Sequence, residues 1–96
     1  MAKLKAHGLE MLRTEREYVV KNAIGEDTRH RYTLSYRSDN QILLKRAFWL
    51  TGPYSEGWRD SGWKLHQKLK PGFTMADHII KVRERVAKSD EWKIVS

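Results

Sequence analysis

From Arg29 to Leu50 polar and apolar positions alternate with a period of two, on both sides of Ser38-Asp39-Asn40. Arg29, Arg31, Thr33, Ser35 and Arg37 share one parity; His30, Tyr32, Leu34 and Tyr36 share the other. Past the break, Ile42, Leu44, Phe48 and Leu50 share a parity that Arg46 interrupts, and Gln41, Leu43, Lys45, Ala47 and Trp49 take the alternate positions. Successive side chains of a strand point to opposite faces. The pattern therefore predicts two strands with one largely apolar face and one polar, basic face.

The loop between them can be derived. Residues directly opposite in an antiparallel pair lie on the same face. A loop of Asp39-Asn40 alone would set Arg37 against Ile42 and Ser35 against Leu44, mixing the faces. A loop of Ser38-Asp39-Asn40 sets Tyr36 against Ile42, Leu34 against Leu44 and His30 against Phe48. It also sets Arg37 against Gln41, Thr33 against Lys45 and Arg29 against Trp49. A slip of one residue would destroy this agreement. Three-residue hairpin loops commonly close through a left-handed residue, and Asn tolerates that conformation. Tyr32 opposite Arg46 is the one uneven pair, and the arginine stem can lie along the ring while its head reaches water.

Before the hairpin, Leu9–Asn22 fits two patterns. A helix would gather Leu9, Leu12, Val19, Val20 and Ala23, with Arg16 among them. A strand would alternate Leu12, Thr14, Arg16, Tyr18 and Val20 against Arg13, Glu15, Glu17 and Val19. The Tyr-Val-Val end favours a strand, from about Thr14 to Asn22. Ile24-Gly25-Glu26-Asp27 then turns the chain into an antiparallel meander. After the hairpin, Thr51–Gly62 reads as a loop opened by Gly52-Pro53, with Tyr54 and Trp58 in it. Over 61–70, Trp63, Leu65 and Leu69 alternate against Lys64, His66, Lys68 and Lys70, which predicts another strand. Trp63 and Trp92 are expected in the core. Thr74 opens a helix over about 75–88, with Asp77 at capping-box spacing. Ala76, Ile79, Ile80, Val82, Val86 and Ala87 form its apolar arc, with Arg83 inside it. His78, Lys81, Arg85 and Lys88 lie outside the arc. Trp92-Lys93-Ile94 suits a short edge strand or a segment packed back on the sheet.

The architecture expected is α+β: a three- to four-stranded antiparallel β-meander with a C-terminal α-helix packed on one face. Residues 1–96 make a single domain, with 1–8 expected as a flexible basic segment. A chain of this length can bury roughly 65% of its unfolded surface without staples. No motif identifies a family. With Leu9–Val20 as a helix, the element order resembles that of double-stranded RNA-binding domains, but Thr74-Met75-Ala76-Asp77 lacks their lysine cluster. The order strand, strand, strand, helix resembles that of several small DNA-binding modules. Arrangement alone assigns no residue a role.

Composition adds a partner. The 96 residues carry a formal net charge of +7 and no cysteine. Disulfides and thiolate metal sites are excluded, which fits a cytoplasmic protein. No apolar run suits a signal peptide or a membrane span, so no membrane partner is expected. Such positive charge favours anionic partners, usually nucleic acid. No acid occurs in 28–38, 40–55 or 61–76. The sheet face away from the helix is therefore expected to carry Arg29, Arg31, Arg37, Lys45, Lys64, His66, Lys68 and Lys70, with Trp49 among them and Trp58 nearby. Cations would track phosphates and the tryptophans would stack on bases, giving DNA or RNA binding of low sequence specificity. The rival is a protein-interaction module, a small inhibitor or regulator docking an acidic protein surface, because aromatic residues and arginine are enriched at interfaces. A third possibility is a small metal-independent nuclease using His66 between Lys64 and Lys68. His7, His30, His66 and His78 fall on separate segments, Ser55 and Ser61 lie in no nucleophile elbow, and no cofactor or metal motif occurs.

Overall fold

The computed structural model describes residues 9–53 and 56–95. The basic segment 1–8 with His7, and also Tyr54 and Ser55, lie outside the described residues. The chain runs β1 (Glu10–Lys21), β2 (Asp27–Arg37), β3 (Gln41–Leu50), β4 (Gly57–Asp60), β5 (Lys64–Lys68), α1 (Met75–Ala87) and β6 (Trp92–Ile94). The strands form one six-stranded sheet in the order β4-β3-β2-β1-β6, with β5 also paired to β3. The pairings are all antiparallel. The α+β class and the C-terminal helix agree with the sequence, but the sheet has more strands than the three or four expected. The surplus comes from Gly57–Asp60, inside the expected loop, and from Trp92–Ile94. Both are too short to show an alternation, and each forms by pairing with a longer strand.

The central hairpin has the derived register: His30↔Phe48, Tyr32↔Arg46, Thr33↔Lys45, Leu34↔Leu44 and Tyr36↔Ile42. Asn40 closes the loop with a left-handed φ of 62°. Its side chain also ties the loop to the helix start. Asn40 Oδ1 accepts from the Met75 N–H at 3.0 Å, and Asn40 Nδ2 donates to the Phe73 carbonyl at 3.0 Å. β1 is a strand throughout, longer at its start than expected. At its far end the Asn22 side chain accepts from the N–H groups of Ile24 and Glu26, which fixes the turn into β2.

Thr74 caps α1, its hydroxyl accepting from the Asp77 N–H at 3.2 Å. The helix buries Met75, Ile79 and Val82 against Leu12, Tyr36 and Ile42, with Leu34, Leu69 and Val86 half-buried around them. This stripe is narrower than the arc read from the sequence: Ala76, Ile80 and Ala87 are exposed, and so is Arg83, which needs no partner. The reason is position. The helix lies over one end of the sheet, at the hairpin loop, and leaves the other end of the same face uncovered. Burial of a side chain such as Leu12 contributes about 1.5–3 kcal/mol. No helix among the described residues is long and apolar enough to cross a membrane.

Candidate nucleic-acid interface

The sheet face away from the helix combines Arg29, Arg31, Arg37, Lys45 and Trp49 from the hairpin, as the alternation required. It is not acid-free. The β1–β2 register sets Glu17 opposite Arg31, Glu15 opposite Thr33 and Arg13 opposite Ser35, bringing the odd residues of β1 onto the same face. Glu17 accepts from Arg29 at 3.0 Å and from Arg31 at 3.1 Å. Glu15 lies 3.4 Å from Arg31, Glu10 lies 3.0 Å from Arg13, and Asp39 lies 3.6 Å from Arg37. The hydrogen bond from Arg29 and the charges of both arginines hold the Glu17 carboxyl below its ordinary value, against the opposing effect of burial. Acids missing from the hairpin are thus supplied by its neighbour.

The tryptophans of this face are engaged as well. β4 brings Trp58 opposite Trp49, edge to face at 5.5 Å between centroids. The Arg29 guanidinium lies over both rings at 5.3 and 5.1 Å, and that of Arg31 lies 4.0 Å from Trp58. Trp63, expected in the core, lies here instead and is 38% exposed. Arg13 and Lys45 sit over its ring at 5.4 and 4.8 Å. Thr33, Ser35 and Ala47 are buried beneath this layer. The outer face is a braced lattice of cations, carboxylates and indoles.

Trp63 changes sides because β5 is bulged. Ile42 pairs with Gln67 while Leu43 pairs with Leu65, leaving His66 as the extra residue. Leu65, opposite Leu43, therefore belongs to the outer face, and Lys64, opposite Leu44, to the helix side. His66 borders a recess on the helix side with Arg16, Tyr32, Arg46 and Trp92. Lys68 pairs with Gln41 at the strand end. Lys70 lies with Phe73, Asp77, His78 and Lys81 near the helix start. Burial, with help from the nearby charges of Arg85 and Lys81, keeps His78 below the ordinary histidine value. Of the ten candidates, Arg29, Arg31, Arg37, Lys45, Trp49 and Trp58 share the outer face; Lys64 and His66 do not, and Lys68 and Lys70 border the recess at the helix start. Trp92 is only half-buried.

The uncovered end of the helix-side face holds a second constellation. The register aligns Tyr18, His30 and Phe48 in one row and Arg16, Tyr32 and Arg46 in the next. Tyr18 stacks on His30 at 5.3 Å and meets Tyr32 at 5.1 Å; His30 is 6.5 Å from Phe48. Burial, and a hydrogen bond between the two hydroxyl groups, push Tyr18 up from its ordinary value. Arg46 lies over Tyr32 at 5.5 Å and Arg16 over Tyr18 at 5.4 Å. Arg16 also reaches Glu91 at 2.9 Å. No ion pair among the described residues includes Arg46, and its side chain is exposed. Arg59 stands opposite Phe48. The recess over these rows measures about 390 Å³.

Tyr18, Tyr32, Phe48, Arg46 and Arg59 were not among the candidates. One signal was available: Arg46 interrupts an otherwise apolar parity, as Arg16 does in β1. An arginine at such a position marks where a face stops being covered. Among the described residues no group of three or more His, Asp or Glu could hold a metal ion. No family model, curated protein or solved structure matches the chain.

Proposed function

We propose that the protein is a small nucleic-acid-binding module of low sequence specificity, and that it receives a single strand on the uncovered end of the helix-side face. The observation that carries this reading is the aromatic floor of Tyr18, His30, Tyr32 and Phe48 beside Arg46, which lies over Tyr32 and enters no ion pair among the described residues. Aromatic side chains stack on exposed bases whatever their identity. An arginine without a carboxylate partner can neutralise a phosphate and release its counterion. The outer face supports binding less well, because its arginines already share Glu15, Glu17 and Asp39. The overall charge of +7 favours encounter with a polyanion in either case.

Fluorescence anisotropy with labelled single-stranded RNA, single-stranded DNA and duplex DNA, at about 50 and about 200 mM salt, tests the reading. Single strands are expected to bind more tightly than duplex, with affinity falling as salt rises. Failure of every form to bind at the lower salt removes the proposal. A pull-down after nuclease treatment separates it from the acidic-protein reading, since only a protein partner survives that treatment.

A further inference from the structure

Three recesses on the helix side of the sheet run into one another. The recess over the aromatic rows shares Tyr32 and Arg46 with the next, and that one shares Leu34 and Trp92 with a third. Trp92 pairs with Arg16, and residues directly opposite lie on one face. The row Trp92, Arg16, Tyr32, Arg46 therefore crosses four strands on the helix side. The three recesses make one groove, which begins at Phe48 and Arg59 and reaches the last turns of α1.

The third recess is where the groove stops. Thr14, Leu34 and Tyr36 line it from the sheet, and Val82, Arg85 and Val86 from the helix. Beyond it the space between helix and sheet is filled by Leu12, Ile42, Met75 and Ile79, all buried. A strand lying along the groove cannot run on beneath the helix. The recess holds about 290 Å³, just under the roughly 300 Å³ at which ligand pockets begin, which suits one flat ring and not a length of chain. Its chemistry also suits a base. Trp92, Leu34, Val82 and Val86 supply apolar surface. Thr14 Oγ1 is buried without a well-formed hydrogen bond, the Tyr36 hydroxyl being its polar neighbour. A buried hydroxyl in that condition gains from a donor or acceptor on a base edge. Arg85 stands exposed at the rim and enters no ion pair among the described residues.

We infer that the groove reads a strand end: the terminal base of a single-stranded nucleic acid seats in the recess between α1 and the sheet, against Trp92, with Arg85 on the terminal phosphate. The inference rests on the single-strand reading above and adds where the strand stops. A terminal base enters freely. An internal one enters only if the strand folds back on itself, because the chain on its far side meets the buried core.

A closed circle of single-stranded DNA, long beside the roughly 4–16 nucleotides of a typical site, and the same circle opened by one cut test this. The two carry the same bases and differ in having ends. The open form is expected to bind about tenfold more tightly, the share of one stacked base. Moving the phosphate from the 5′ to the 3′ side of the cut is expected to change that advantage, since the recess admits one polarity. Arg85→Gln, at an exposed position, is expected to cut the advantage to about threefold or less. Equal affinity for circle and open form overturns the inference and leaves single-strand binding standing. So does indifference to the place of the phosphate, or an advantage that Arg85→Gln leaves whole. Failure of both forms to bind removes the inference together with the reading it rests on.

Discussion

The two faces of this sheet use the same residue types to opposite ends. On the outer face arginine, lysine and tryptophan satisfy one another: Glu17 is shared by Arg29 and Arg31, and the Trp58 ring lies against both guanidinium groups. On the uncovered end of the helix side, the rings of Tyr18, His30, Tyr32 and Phe48 line up, with Asp60 at the recess and Glu91 on Arg16, and Arg46 enters no ion pair among the described residues. Arginine and aromatic side chains in a face do not by themselves make a binding surface. What matters is whether their valences are already met within the fold. The outer layer covers Thr33, Ser35 and Ala47; at the other end Arg16 and Arg46 lie over the rings of Tyr18 and Tyr32, and Arg46 enters no ion pair among the described residues.

The comparison can be broken at several levels. Leu12→Ala, which opens a cavity beneath the helix, should cost about 2–5 kcal/mol in chemical denaturation and damage both faces together. Tyr32→Ala should leave the fold in place, judged by circular dichroism, and weaken single-strand binding by about 1–3 kcal/mol. Arg46→Ala should lower the salt slope of that binding by about 0.7, the share of one phosphate contact. Glu17→Gln should act the other way, leaving binding unchanged and lowering stability by up to about 1 kcal/mol, since the pairs it breaks are partly exposed. Lys45→Ala should do least, with no change in salt slope; a drop as large as that of Arg46→Ala would move the interface to the outer face.

Acid sharpens the Glu17 contrast. Its folded carboxyl lies below the ordinary value of 4.5, so its stabilising contribution is complete above that value and is lost as pH falls through the folded one. The gap in melting temperature between the native chain and Glu17→Gln should be steady near neutral pH and close in acid. His78, also lowered, acts with the same sign at higher pH: protonation below the ordinary value of 6.5 costs more in the folded state than in the unfolded one.

Much of the fold was legible in the chain. The hairpin register followed from parity alone, because only one loop length keeps apolar residues opposite apolar ones. The capped helix followed from Thr74 and the spacing of Ile79, Val82 and Val86. The interface was less legible. Parity along β2 and β3 placed Arg29, Arg31, Arg37, Lys45 and Trp49 together, but parity does not report which strand lies alongside. β5 was read with unbroken alternation, and the extra residue at His66 reversed half of it.

Local pattern thus determined the central strands, the left-handed Asn40, the helix and the positive charge, because each depends on neighbours a few residues apart. Tertiary structure decided the rest. Pairing with β1 set Glu15 and Glu17 among the arginines, the bulge in β5 turned Trp63 outward, and a helix shorter than the sheet left one end of a face open. These outcomes depend on which distant segments share an edge, and on the difference in length between α1 and the strands beneath it, neither of which any single stretch of the chain encodes.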